Sequence, residues 1–206
     1  VEKPIIFSGE TVRAILDGRK TQTRRIFGYK VSGPNPPNFS TFDVYSGAQW
    51  VGAFGRDGKG NATRLVRYQP GDVLCVRENW WEIPEPTARQ LRDGADTWPN
   101  IAYDADENDI TREQNRASGW KLRPSIHLPR KHARIFLSVR DLKIERLQSI
   151  SDRDAVAEGV RLPTDAVAGV TAAAYFSVLW QSINKQIGRR WCDNPWVVAT
   201  TFRRLL

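Results

Sequence analysis

Apolar positions along the chain fall into short blocks separated by polar and turn-forming residues, and each block predicts an element. PIIF at 4–7 reads as a short strand. Ser8 then stands as an N-cap, Val12, Ile15 and Leu16 share one helical face, and Gly18 closes that helix. The threonine-rich residues after Gly18 favour an extended chain. In YQPGDVLCVRENWW, Pro70-Gly71 predicts a turn and residues 73–76 an apolar strand. RIFLSVRDLKIERL, 134–147, is β-branched and apolar enough for a central strand, or for a pair with a bend. ISDRDAVAEGV predicts a short helix, with Ser151 and Asp154 as a capping box, Ile150 as a hydrophobic staple and Gly159 as the stop. Phe176, Leu179, Trp180 and Ile183 follow the i, i+3, i+4, i+7 rule of an amphipathic helix, and 196–202 reads as a final strand.

Two stretches lack such periodicity. Residues 32–60 contain GPNPPN and GRDGKGN and read as loop, and 82–119 is an acidic excursion with a short helix near 87–93. No internal repeat is present. The order of elements predicts a single α+β domain over 1–206, with a small barrel-like sheet and insertions around 32–62 and 82–119.

Composition narrows the partners. The 31 Lys and Arg against 23 Asp and Glu give a net charge of +8, which favours an anionic partner such as nucleic acid, nucleotide or phosphate. The first thirty residues, 121–146 and the C-terminal stretch are basic, whereas 82–113 is acidic. That asymmetry predicts a basic working face with the acidic insertion directed elsewhere. No apolar run approaches the roughly 20 residues needed to span a bilayer. The N-terminus carries no secretory signal pattern and no membrane partner is expected; with only two cysteines there is no disulfide framework, so a reducing cytoplasm is the expected location. Cys75 and Cys192 have no CxxC spacing and read as two ordinary buried thiols rather than as zinc ligands with His127 and His132.

The stretch GRKTQTRR, 18–25, concentrates the candidate chemistry. Lysines and arginines just after a helix commonly cap its carbonyls and face solvent. The chemical reading is that arginine neighbours disfavour the protonated form of Lys20, letting it take a proton from the Thr23 hydroxyl. Because side chains alternate along a strand, that needs a turn or bulge between the two residues. Glu158, at the end of the short helix and disfavoured there by the helix dipole, is the candidate carboxylate to orient the lysine. Arg77, Glu78, Trp80 and Trp81 end a strand with charges and adjacent indoles, and an exposed indole could stack on a base. RPSIHLPRKHAR, 123–134, reads either as a phosphate-contacting loop or as a solvated one.

The helix running into GRKTQTRR, followed by PGDVLCVRE, ISDRDAVAEGV and a closing strand, resembles the ASCH domain family. RPSIHLPR and NPWV resemble the family's larger phage and prophage members. The resemblance spans nearly the whole chain, least so the acidic insertion. It implies a PUA-like fold, a small β-barrel flanked by helices, with GRKTQTRR and the Glu158 helix beside one cleft. It also implies either RNA binding or the amidohydrolase activity of small bacterial members on N(4)-acetylcytidine. In those enzymes a lysine, a threonine three residues on and a later glutamate form the catalytic set, which Lys20, Thr23 and Glu158 match position by position.

The expected function is therefore cleavage of the N(4)-acyl amide of a modified nucleoside or nucleobase. Arg19, Arg24, Arg77, Glu78, Trp80 and Trp81 are the substrate-binding candidates, Arg24 also as an oxyanion donor. The scheme requires no metal or organic cofactor. The alternatives are a non-catalytic RNA-binding module or a ribonuclease using the same basic cleft, or an accessory protein binding a protein partner through 82–113. The chain is about twice as long as the minimal enzyme, which leaves substrate preference open.

Overall fold

The computed structural model describes residues 1–26, 54–56, 62–64, 67–84, 101–162 and 169–205. In chain order its strands are β1 (Glu2–Ile6), β2 (Gln22–Ile26), β3 (Phe54–Arg56), β4 (Ala62–Arg64), β5 (Val73–Arg77) and β6 (Trp80–Glu82). Then come β7 (Ile101–Tyr103), β8 (Lys121–Arg123), β9 (Phe136–Arg146) and β10 (Trp196–Leu205). The described α-helices are α1 (Gly9–Leu16), α2 (Asp109–Ala117), α3 (Asp152–Ala157) and α4 (Ala172–Ile183). The fold is α+β, and among the described residues no sheet closes into a barrel. None of the described helices is long and apolar enough to cross a membrane. The expected helix at 87–93 and most of the 32–62 insertion lie outside the described residues.

Two compact units interleave along the sequence, one built from Arg19–Val73 and Ser138–Arg203, the other mainly from Glu2–Gly18 and Leu74–Leu137. In the first unit β10 lies between β9 and β2. It pairs antiparallel with β2 in a register that sets Thr23 opposite Thr200 and Arg24 opposite Ala199. β3 and β4 form an antiparallel pair. The core of this unit joins Leu147, Ile150, Ala155, Ala172, Phe176, Trp180 and Val197, so α3 and α4 supply most of its apolar surface. Ser151 Oγ accepts from the Asp154 N–H at 3.1 Å, fixing the start of α3, and Ile150 joins Ala155 in the core as a staple would.

Helix α4 starts four residues before Phe176, the first anchor the sequence marks, behind the N-cap Thr171, whose hydroxyl accepts from the Ala174 N–H at 3.2 Å. Its buried face also differs from the expected one. Ala172, Phe176 and Trp180 turn inward at i, i+4 and i+8, whereas Ile183 is 70% exposed and Leu179 is exposed too. Two aromatic side chains on one stripe fill the space available: the Phe176 and Trp180 rings lie 5.9 Å apart, and the Trp180 indole donates to Arg189 O at 2.8 Å.

In the second unit β1 and β5 are neighbours, and β6 is flanked by β7 and β8 in a three-stranded antiparallel sheet. Ser8 caps α1 as its position predicts, and Gly18 adopts a φ of 72°, the left-handed conformation that terminates a helix at low cost only with glycine. Gly71 takes the same region, at 86°, to turn the chain into β5. Residues 136–146 form one unbroken strand rather than a pair.

The acidic insertion is not free negative charge. Asp104 and Asp109 pair with Arg112, Asp106 with Arg134 and Glu82 with Arg123, so these four carboxylates neutralise arginines of the same unit. Cys75 is buried, but Cys192 is exposed, because it lies in a 3-10 turn ahead of β10 rather than in a strand core. Among the described residues no three His, Cys, Asp or Glu side chains gather as metal ligands would.

Candidate active site around Lys20 and Glu158

The site is assembled within the first unit by the end of α3 and the start of β2. Thr21 donates its N–H to Ala157 O at 2.8 Å and accepts at its own carbonyl from the Phe202 N–H at 2.9 Å. These two bonds pin the two residues ahead of β2 between α3 and β10, so Lys20 leaves the chain before strand alternation begins. Glu158 is the C-cap of α3, its N–H bonded to Asp154 O, and Gly159 turns the chain away with a φ of 92°. Lys20 Nζ donates to Glu158 Oε2 at 2.8 Å and to Glu158 O, also at 2.8 Å. Both residues are almost entirely buried, 6% and 7% exposed.

Burial pushes the Lys20 ammonium below the usual lysine range, since the charged form loses its hydration. The charge and hydrogen bond of Glu158 oppose that shift, and the neighbouring Arg25 and Arg24 add to it. The net direction is downward: desolvation outweighs the ion pair. A lysine so placed exchanges its proton more readily than one on the surface, the property a proton carrier needs.

Arg24 occupies the same pocket of charge. Its Nη1 donates to Glu158 Oε1 at 3.1 Å and to Gln22 Oε1 at 2.6 Å. Its Nε and Nη2 both reach Glu145 Oε1, at 3.1 and 2.6 Å, and Nη2 lies 3.3 Å from Asp154 Oδ2. The Arg24 side chain is 1% exposed. The sequence-based role of Arg24 as substrate contact or oxyanion donor is therefore corrected, because its donors are spent on carboxylates and its guanidinium is closed off. Arg19 is half-buried and donates to Gly159 O at 3.2 Å, closing the end of α3 in the way a helix-terminal cation does.

Thr23 stands apart in this arrangement. It is buried on β2 opposite Thr200, and alternation puts it on the other side of the strand from Gln22 and Arg24, whose side chains touch each other. The structure thus joins Lys20 to Glu158 directly, whereas Thr23 adjoins them through the strand backbone.

The remaining candidates belong to the second unit and are structural in their surroundings. Glu78 is 1% exposed and takes two hydrogen bonds from Arg134, at 2.9 and 3.0 Å. Burial raises its carboxyl above the usual range, against the lowering pull of Arg134. Both Trp80 and Trp81 are buried, Trp81 completely, so neither offers an open face to a base; Trp80 packs with Ile101 and Leu128. Two neighbours on a strand are both covered because both faces of β6 are packed, Trp80 against Ile101 and Leu128 and Trp81 under the Arg116 guanidinium. Arg77 donates to Ile126 O at 3.0 Å. Within 123–134, Arg134 is held on the buried Glu78, whereas Arg123 pairs with Glu82 and Arg130 with Glu2 at the exposed surface.

Sequence reasoning missed Glu145, which is buried between Arg24 and Lys143, 2.7 Å from the latter. Strand parity does not mark it: Glu145 shares the parity of buried Leu137 and Val139, but Asp141 and Lys143 on that same parity are exposed, and the burial of Glu145 comes with its partner Arg24. Comparison with protein-family models, curated proteins and solved structures gives no match for this chain.

Proposed function

We propose that the chain is an amidohydrolase that removes the acyl group from the exocyclic N4 of an acylated cytosine, as nucleoside or free base. The observation that carries the reading is the buried Lys20–Glu158 pair, with Lys20 displaced toward its neutral form inside a matched set of charges. The substrate class rests on the resemblance of GRKTQTRR and ISDRDAVAEGV to the ASCH domain and its PUA-like fold. In this scheme Thr23 Oγ attacks the amide carbonyl and its proton passes to Lys20, a transfer that requires the two side chains to converge across the strand backbone that separates them here. The C–N bond then breaks as Lys20 returns that proton to the departing exocyclic nitrogen, and water hydrolyses the acyl-threonine. Glu158 holds Lys20 in place. With Arg24 spent on carboxylates, oxyanion stabilisation falls to backbone N–H groups.

The pH dependence follows from the direction of the Lys20 shift. Below its lowered folded value Lys20 is protonated and cannot accept the threonine proton, so kcat/KM is expected to fall as pH drops through that value. It should level off at a pH below the ordinary lysine range. A profile that is flat across this range, measured by the ultraviolet change on N(4)-acetylcytidine hydrolysis, removes Lys20 from the role of base.

The RNA-binding or ribonuclease alternative would draw on the same basic stretches. Burial of Arg24 and the pairing of Arg134 with the buried Glu78 weaken it. It predicts RNA affinity that falls steeply with salt, as counterions return to the phosphates. Titration of single-stranded RNA at two salt concentrations is expected to show no such dependence for the hydrolase.

A further inference from the structure

Arg24 is a buried cation whose task the catalytic scheme leaves unassigned. Lys20 Nζ and Arg24 Nη1 approach different oxygens of Glu158, Oε2 at 2.8 Å and Oε1 at 3.1 Å, so each oxygen has its own cation. Glu145 fixes Arg24 from the opposite side through Oε1, while its Oε2 is 2.7 Å from Lys143. We propose that Arg24, held by Glu145, is a positioning residue for the hydrolase: it is the standing counter-ion of Glu158, which lets Lys20 release its proton without stranding a buried carboxylate.

The physical argument is one of charge balance. Removing the only cation from a buried carboxylate is strongly unfavourable, so a lone Lys20–Glu158 pair would hold its proton tightly. Arginine keeps its charge at every accessible pH, and its fork can grip two carboxylates at once. The cluster holds three cations, Lys20, Arg24 and Lys143, against three carboxylates, Glu145, Asp154 and Glu158. When Lys20 becomes neutral, this ion-paired set is left with one excess negative charge, partly offset by Arg25, whose charge acts on both Lys20 and Glu158. Asp154 is the most exposed of the three carboxylates, at 29%, and water can take up that excess there. Other charges in reach are Arg25 on β2, with Arg67 and Tyr68 acting on it, and Arg19 on the Gly159 carbonyl. The same geometry argues against Glu158 as the base that activates water, because both of its oxygens already accept donors.

The role rests on the hydrolase reading, but the test does not. The Lys20 titration would be followed by 13C NMR of its ε-carbon, with the resonance assigned from Lys20→Arg. Arg24→Gln leaves Lys20 as the one cation of the set hydrogen-bonded to Glu158 and should move the Lys20 titration upward. Glu145→Gln leaves Arg24 with less negative charge around it and should move the titration in the opposite direction. A bystander in packing would produce no such opposed pair. Titrations that stay at the wild-type position, or move together, overturn the proposal. If Arg24→Gln does not fold, the near-isosteric Glu145→Gln decides alone, a downward shift supporting the proposal and any other result overturning it. Failure of both variants to fold makes the pair a structural brace and also overturns it. Opposed shifts in a protein that leaves N(4)-acylcytidines intact would keep the counter-ion role and reject the hydrolase.

Discussion

Lys20→Ala is expected to reduce hydrolysis of N(4)-acetylcytidine by at least about a hundredfold, the usual scale for removing a positioned general base. The fold should survive. Glu158 loses one cation but keeps Arg24 at 3.1 Å, so no buried carboxylate is left alone. Lys20→Arg restores the charge but not a group that can shed its proton, and should be as inactive as the alanine variant. Parallel thermal melts separate chemistry from stability. Normal turnover by either variant excludes Lys20 as the proton carrier. Thr23→Ala is expected to be inactive as well. Its retained activity alongside an inactive Lys20→Ala would mean that Lys20 activates water and Thr23 only pairs with Thr200.

The largest stability effect is expected in the other unit, at Arg134. Glu78 is buried and Arg134 grips both its oxygens while also bonding Asp106 and lying 3.8 Å from the Tyr103 ring centroid. Arg134→Met leaves the Glu78 charge without its cation, at a cost of about 3–5 kcal/mol in denaturant unfolding. Glu78→Gln together with Arg134→Met should recover much of that loss, because neither charge then needs a partner. The pH dependence has a defined sign. Burial raises Glu78 in the fold above its unfolded value, so the folded state binds the proton more tightly, and stability falls as pH rises through that window. The deficit of Arg134→Met should therefore shrink on acidification, since a protonated Glu78 needs no cation. A deficit under about 1 kcal/mol, the range of surface ion pairs, would show that the pair is solvated after all.

Much of the local structure was legible before any coordinates. The Ser8 and Ser151 caps, the glycines at 18 and 71, and the apolar strand at 73–77 are fixed by residues that are neighbours in sequence. The inward face of α4 was not. Leu179 and Ile183 fit the helical period as well as Ala172 does, and only the space beneath the helix decides which stripe is covered. Lys20 and Glu158 could be named from the resemblance of their motifs, yet their contact spans 138 positions of the chain and no local rule gives it. Arg24 shows the opposite failure. An arginine in a basic run reads as surface charge, and its burial follows from Glu145, Asp154 and Glu158 arriving from two other elements. Strand periodicity gave no signal for Glu78 or Glu145 either: β5 buries Leu74, Cys75 and Val76 alike and ends before Glu78, and Asp141 and Lys143, on the parity of Glu145 in β9, are exposed.

By itself the sequence determined the element ends marked by the Ser8 and Ser151 caps and by Gly18 and Gly71, because caps and turns act over a few residues. It marked neither the start of α4 nor helix α2 within the acidic stretch. It also determined the inventory of charge, an excess of cations with carboxylates gathered in one stretch. Only the tertiary structure decided which charges are spent on one another. A charged side chain is hydrated unless a partner from elsewhere compensates its burial, and that compensation depends on distances the chain sets only once it has folded. The lowered hold of Lys20 on its proton arises there, from desolvation and the nearby Arg25 and Arg24, against the opposing pull of Glu158.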